Sequence, residues 1–495
     1  MNNRPSEDEK TVFDVLIVGA GISGIGHAQH IQSRHPARSF VILEAREAPG
    51  GTWLTHKYPG ARSDSDLFTF GYRARPWNGP PIATRQEILS YLGATIEAAG
   101  LSDHIRYGHR VESASWSSAQ QCWVLRVADQ ASGSIRTYRA RFLWMCQGYY
   151  DHDTPYTPTW PDMERFAGTI VHPQHWPDEM DWTGKRVVVI GSGATAATLI
   201  PTLAQGAAHV TMLQRSPTYF VAKPNKNELA DTLRALDIPD AWTHEIVRRS
   251  VLAEQKVLQV LAEQDPDAAR DLLVSAIREE LGPEFDVDTH FNPGYRPWRQ
   301  RLAVVPDNDL FKAIKAGKAS VVTDQIARFT PGGIALESGQ ELAADIIVTA
   351  TGFNMQFLND IPFDVDGDPV AFHDKVSYRG LMVSDVPNMA FMLGYLRTSW
   401  TMRVDLAGDF VCRLMGHMDS IGAASVTPVL GEGDAGLPRG NFIPDEEFNS
   451  GYIQRGMPDW PRRIERDPWR YVISYFEESA ILPEVDLDEA ALVYG

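Results

Sequence analysis

Glycine has no side chain, so backbone N–H groups beside it can approach an anion, and two stretches of this chain carry glycines at the spacing that this needs. Gly19, Gly21 and Gly24 follow the apolar run Phe13 to Val18 and open a helix-compatible stretch to Ser33. That layout aims bare N–H groups and the positive end of a helix at a pyrophosphate. Glu44 ends a second apolar run, Phe40 to Leu43, and stands 20 residues after Gly24. A carboxylate there accepts from ribose hydroxyls and repels a 2′-phosphate, so the site suits FAD or NAD better than NADP. Gly191, Gly193 and Ala196 repeat the layout after Lys185 to Ile190. In this second unit the run Val210 to Leu213 leads to Arg215 and Ser216, a cation and a hydroxyl suited to the 2′-phosphate of NADPH. Opposite preferences at two matched sites imply one flavin and one NADPH, because hydride transfer needs a donor and an acceptor in one chain.

A third pattern lies between the two turns. Phe166, Gly168, His172, Trp176 and Pro177 fit F-x-G-x-x-x-H-x-x-x-W-P. From the chain's own residue counts, five fixed residues at fixed offsets arise by chance in roughly one chain in ten thousand, against about one in four for a lone G-x-G-x-x-G. The linker pattern therefore carries more weight than either glycine turn. A histidine after the strand-like Thr169-Ile-Val171 is, taken alone, more often a satisfied linker residue than a catalytic one. Trp176 is expected to pack at the same domain junction.

Two βαβ units are needed to hold these residues. The expected fold class is α/β, with two Rossmann-like dinucleotide-binding domains for FAD and NADPH and a helical insertion. Residues 1–155 form the first part of the FAD domain, 156–224 the first part of the NADPH domain, and 225–295 the insertion. Residues 296–350 complete the NADPH domain, and 351–495 complete the FAD domain and form a C-terminal tail. Helical periodicity runs from Thr243 to Ala262, Asp267 to Leu281 and Asp405 to Met418. Ser320 to Ile334 and Asp345 to Thr349 read as returning strands, Ala390 to Gly394 is a short apolar run, and the Gly/Pro-rich Thr427 to Pro444 reads as a surface loop.

A chain of 495 residues exceeds one ordinary core and should divide into two or three domains. Its net charge of -18 argues against nucleic acid and against an anionic membrane surface as partners. The start, Met1 to Lys10, is polar without a signal-like apolar core, and no apolar run is long enough to span a bilayer. Cys122, Cys146 and Cys412 form no C-x-x-C pair and no metal-ligand cluster, which disfavours a disulfide reductase and a metal site. A reducing, cytoplasmic location fits them.

Gly50-Gly-Thr-Trp53, Tyr58 to Asp64, the linker pattern and Ala350-Thr-Gly352 together resemble class B flavin monooxygenases, in particular type I Baeyer–Villiger monooxygenases. Arg62 to Asp66, Gly148-Tyr-Tyr150, Tyr295 to Arg301, Asp309-Leu-Phe311 and Ser399-Trp-Thr401 are more similar to one subgroup, the ethionamide-activating monooxygenases. The resemblance implies that NADPH reduces FAD and that dioxygen then forms a C4a-peroxyflavin. This species inserts oxygen into a ketone to give an ester or lactone, and would also oxygenate sulfides or thiocarbonyls. Arg301 is then the active-site cation, always protonated and rich in donors. Asp64 orients it from the flavin side, with Asp66 as a competitor that would share its face on a strand. Gly51, Thr52 and Trp53 join the FAD site, His172 couples NADPH binding to domain geometry, and Trp400 contacts the nicotinamide ribose, lines the pocket or packs in the core. Many Baeyer–Villiger enzymes carry lysine where this chain has Gln300, so NADPH preference rests on Arg215 and Ser216; Phe70 stands where the family has tyrosine. The partners implied are a small ketone or sulfur substrate and dioxygen, and a homo-oligomer is compatible. The substrate pocket is expected from the insertion and from Leu393 to Met402. Two rival functions remain: a flavin monooxygenase restricted to nitrogen or sulfur, and a non-catalytic redox sensor that binds both nucleotides.

Overall fold

Each nucleotide-binding half of the computed structural model, which describes residues 7–495, begins with a buried strand that runs into a glycine turn. The first six residues of the polar start lie outside the described residues. β1 (Val12–Val18), α1 (Ile22–Arg34) and β2 (Phe40–Leu43) form the first unit. The last four residues of β1 and all of β2 are buried, the pattern of parallel strands covered on both faces. They pair in parallel, Val15 with Phe40 through Val18 with Leu43. β3 (His109–Ser117), β4 (Cys122–Asp129) and β5 (Ser134–Met145) form an antiparallel meander. The end of β5 then runs parallel to β1, so the meander and the βαβ unit share one sheet.

The chain leaves this sheet through β6 (Tyr150–Pro155) and builds the second unit from β7 (Thr169–Val171), β8 (Arg186–Ile190), α2 (Ala194–Leu203) and β9 (His209–Gln214). Four helices follow: α3 (Glu228–Ala235), α4 (Asp240–Gln264), α5 (Pro266–Leu281) and α6 (Val287–Phe291). β10 (Ala319–Thr323) and β11 (Ile346–Thr349) complete an all-parallel sheet in the order β10-β9-β8-β11-β7. The chain returns through β12 (Phe353–Met355), which pairs antiparallel with β6, so the two crossings lie side by side. β13 (Met389–Phe391) adds to the edge of β5, and α7 (Trp400–Ile421) packs along α1. α8 (Gly451–Gly456) and α9 (Tyr475–Ile481) lie in the C-terminal part.

The first two helices of the insertion, α3 and α4, fasten onto the first domain, while α5 and α6 pack into the core of the second. The amide of Trp77 donates to His244 Nδ1 on α4 at 3.1 Å. Arg248 on the same helix donates to Gly71 O at 3.1 Å and to Asp405 on α7 at 3.0 Å. The stretch Thr427 to Pro444 is largely exposed in its middle, as its composition implies, but its ends depart from a surface loop: Phe442 and Ile443 are fully buried, and Val426–Pro428 pairs with Leu492–Tyr494. An aromatic and an aliphatic side chain inside a glycine-rich stretch have enough apolar surface to pin it into the core, here with Phe442 against Trp460 and Tyr471. Among the described residues no helix is long and apolar enough to cross a membrane.

Candidate active site

Both glycine turns open onto one cavity of about 1200 Å³, above the ~300–1,000 Å³ of ordinary single-ligand pockets. In the first turn Gly19 has φ +103, and a side chain there would stand 2.8 Å from Cys146 O. Gly21 is the N-cap of α1 with no side-chain cap, which leaves the first N–H groups of the helix open to the cavity. Gly24 does not line the cavity; its Cα packs so close to the turn that a Cβ would be 1.9 Å from Gly19 O. Glu44 ends β2 and accepts from Ala20 N at 2.7 Å and Arg46 N at 2.9 Å. Burial raises its carboxyl pKa, and the N–H groups of Ala20 and Arg46 pull it back. An ionised carboxylate has about four acceptor sites, so two remain for a ribose diol. Gly51, Thr52 and Trp53 line the cavity together with Gly19 and Gly21.

The second turn is more open. Gly191 has φ +129 and sits 2.3 Å, measured from an added Cβ, from Ala350 O. Gly193 caps α2 and has nothing within 4 Å of an added Cβ. Ala196 is fully buried in the second domain's core and does not touch the cavity. Arg215 and Ser216, past the end of β9, are exposed and line the cavity.

Arg301 and Asp64 meet in this cavity. Arg301 Nη2 donates to Asp64 Oδ1 at 3.1 Å, with 33% and 24% of the two side chains exposed. The Asp64 carboxylate is the largest influence on the guanidinium and drives its pKa above the ordinary value, so Arg301 is a permanent cation. Neighbouring Arg62 holds the Asp64 segment in place through a two-pronged pair with Asp309, at 2.5 and 3.2 Å. Asp66 takes a different part from the one a strand would give it. The chain turns into the short helix Leu67–Phe70 there, and Asp66 caps it by accepting from Phe68 N at 3.0 Å, buried and paired with Lys223 at 3.6 Å. Gln300 and Phe70 also line the cavity.

His172 lies outside the cavity lining. Its Nδ1 accepts from Gln174 N at 3.1 Å, so Nε2 carries the proton and donates to Gly352 O at 3.2 Å. Burial pushes its pKa down to about 4, which keeps the ring neutral. The histidine thus ties the end of β7 to the returning chain just before β12. Trp176 packs, edge-on to Trp182 at 6.2 Å, against a cluster that joins the second domain's core to Tyr58 and Ala61 of the first. Trp400 lines the cavity, stacks on Tyr149 at 5.3 Å and donates from Nε1 to Ser23 Oγ at 2.7 Å.

Several cavity residues escaped sequence reasoning. Gln147 follows β5, and both polar ends of its amide are buried without a protein partner; His56 Nε2 and His152 Nδ1 are in the same situation at the cavity wall. Tyr150 and Tyr452 stand near Arg301, and burial raises the pKa of both hydroxyls. Arg46, two residues past Glu44, adds a cation to the wall of the first site. A cation just beyond the acidic end of β2 was visible in the sequence, whereas Gln147 and Tyr452 carried no signal. None of the lining residues comes from the helical insertion, so only the Leu393 to Met402 part of the expected pocket is present, through Tyr395 and Trp400. Within the insertion, α4 faces the first domain's α7 and the chain near Gly71 instead, and α5 and α6 pack on the second domain.

Two dinucleotide-binding folds that share one cavity, with a cation and a carboxylate paired inside it, define a two-nucleotide oxidoreductase of the flavoprotein class. The profile of the L-lysine 6-monooxygenase/L-ornithine 5-monooxygenase family matches residues 81–281, and that of an NAD(P)-binding Rossmann-like domain matches residues 17–91. The chain is 43% identical over 485 residues to the FAD-containing monooxygenase EthA of Mycobacterium tuberculosis, covering 98% of both chains. It is 44% identical over 488 residues to the putative FAD-containing monooxygenase MymA of the same species, covering 98% of this chain and 97% of that one. The fold is shared with an oxidized steroid monooxygenase bound to NADP (TM-score 0.74, 23% identity, 98% and 99% of the two chains). It is also shared with an open form of cyclohexanone monooxygenase (TM-score 0.75, 20% identity, 98% and 99%). The chain belongs to the FAD-containing monooxygenases, with EthA and MymA as relatives along its whole length.

Proposed function

We propose that this protein is an NADPH-dependent flavin monooxygenase of Baeyer–Villiger type that inserts one oxygen atom into a ketone, giving an ester or lactone, and also oxygenates sulfides or thiocarbonyls. The observation that carries this reading is the Arg301–Asp64 pair in the cavity that both nucleotide turns share. The residues fit the two cofactors. Gly19, Gly21, Glu44, Gly51, Thr52, Trp53 and the orphaned amide of Gln147 would hold FAD, and Gly191, Gly193, Arg215 and Ser216 would hold NADPH. When bound, the pair supplies hydride transfer and the activation of dioxygen.

The chain's own contribution is electrostatic. Oxygen transfer to a carbonyl builds negative charge on the substrate oxygen, and a fixed cation already aimed at that place stabilises it without reorganisation. Arg301 supplies the cation, and Asp64 holds its plane without taking a proton from the substrate. Trp400 and Tyr149 close one wall with stacked rings that exclude water. His172, neutral and bonded on both nitrogens, sets the crossing between domains and moves no proton. A location in the cytoplasm, where its three unpaired, buried cysteines stay reduced, accords with this role.

Arg301→Ala tests the reading. The variant is expected to be reduced by NADPH under argon at nearly the parent rate while ketone oxygenation falls about 10²- to 10³-fold. The match of residues 81–281 to lysine and ornithine monooxygenases favours a second reading, oxygenation of nitrogen or sulfur alone. Ketone turnover that survives the loss of Arg301 would support that second reading.

A further inference from the structure

One wall of the cavity is a short connection, Met392 to Ser399, between β13 and α7, and its anchoring is unlike that of an ordinary loop. Tyr395 lines the cavity with its ring buried to 1% exposure, and its hydroxyl donates to the carboxylate of Glu478 on α9. Glu478 is itself 2% exposed and accepts from Arg403 on α7, Nε at 2.9 Å and Nη2 at 2.8 Å. Arg403 is 0% exposed and spends its remaining donors on three backbone carbonyls: Gly380 at 3.1 Å, Leu393 at 2.8 Å and Arg379 at 3.0 Å. One of those carbonyls belongs to the wall, so a single carboxylate holds the wall twice, through Tyr395 and through Arg403.

The rest of the connection is fixed from three other directions. Gln259 on the insertion helix α4 donates to Arg397 O at 3.1 Å, Arg397 pairs with Glu447 at 2.6 Å, and Trp400 is bonded to Ser23 on α1. Gly394 folds beneath Trp400 so tightly that an added Cβ would lie 2.2 Å from the indole. A buried ion pair contributes little net stability, because desolvation offsets its attraction and apolar residues of the same volume do as well. Its value here is geometric. Arg403, Glu478 and Tyr395 fix where one wall stands, and that wall carries two of the cavity's aromatic side chains, Tyr395 and Trp400.

We propose that Glu478 is a positioning residue for substrate selection: by holding Tyr395 and Arg403 it sets the place of the Leu393 to Trp400 wall and hence the length of ketone the cavity accepts. The claim rests on the reading of this cavity as the oxygenation site. Glu478 does not line the cavity, and its effect passes through Tyr395 and Arg403.

The test uses the flavin-loaded enzyme and two variants, Glu478→Gln and the milder Tyr395→Phe, which removes one hydroxyl and leaves the Arg403 pair intact. With straight-chain methyl ketones of increasing length, the ratio of kcat/KM between the longest and shortest is expected to change by about tenfold in each variant. Anaerobic reduction by NADPH should stay within about twofold of the parent. Equal loss for every ketone, together with a lower melting temperature, would make Glu478 a stabilising residue only and overturn the proposal. Hydrogen exchange supplies a readout that needs no turnover: in Tyr395→Phe the amides of 392–400 should exchange about tenfold faster, with β8 unchanged. Unchanged exchange at 392–400 overturns the positioning claim, whereas a parent enzyme that oxygenates no ketone overturns the functional reading and with it the ketone selection, and exchange then decides only whether this contact holds the wall.

Discussion

The two glycine turns perform the same task with opposite construction. In the first, an added Cβ at Gly24 would lie 1.9 Å from a carbonyl oxygen, Glu44 is 6% exposed with both oxygens engaged, and the Gln147 amide waits buried beside them. In the second, Gly193 faces open space, the third glycine is replaced by Ala196, and Arg215 and Ser216 are exposed. One turn closes around what it holds and the other leaves it a way out. On the proposed reading this is the difference between a flavin that stays and a nicotinamide nucleotide that exchanges.

The strongest way to break the comparison is at the third position of each fingerprint. Gly24→Ala forces a methyl group into the Gly19 carbonyl, and neither backbone can retreat; a loss of about 3 kcal/mol and a colourless, flavin-free protein are expected, read by melting and flavin absorbance. Ala196→Gly should cost about 1 kcal/mol and leave the flavin in place. Retention of flavin by Gly24→Ala would mean that the first turn is not built closed. At the second site Arg215→Ala is expected to raise KM for NADPH about tenfold and to leave NADH within about twofold. An equal rise for both nucleotides would remove Arg215 from the 2′-phosphate.

The smallest effect tests the joint between the two halves. His172 has a pKa of about 4 in the folded protein against 6.5 for the free side chain. The unfolded chain therefore binds a proton that the folded chain refuses, and stability is full above 6.5 and falls as pH drops towards 4. His172→Gln should flatten urea-measured stability across that window by about 1 kcal/mol per pH unit at most, given its partial exposure. An unchanged slope would show that His172 is not held as a buried, neutral ring in solution.

The parts of this molecule with local signals were legible from residues alone. The two βαβ units carry buried runs and glycines, and the helices of the insertion carry periodicity: the expected Thr243 to Ala262 and Asp267 to Leu281 lie within Asp240–Gln264 and Pro266–Leu281. The meander β3-β4-β5 was not read, because its strands alternate in burial and join the first sheet only through the far end of β5. Within the site, Asp64 and Arg301 come together as the motif resemblance implied, across 237 residues of chain. Asp66 was misplaced because helix capping, a local preference of aspartate, won over strand alternation. Gln147, Tyr452 and Glu478 were silent, since each gains its part only from a tertiary neighbour.

The most direct measurement is to mix the gel-filtered yellow protein with NADPH under argon and follow the flavin absorbance. Flavin is expected to stay with the protein through filtration, NADPH to bleach it quickly, and NADH to do so far more slowly. Flavin lost on filtration, or flavin that NADPH leaves oxidised, would contradict a closed first site working with an open second one.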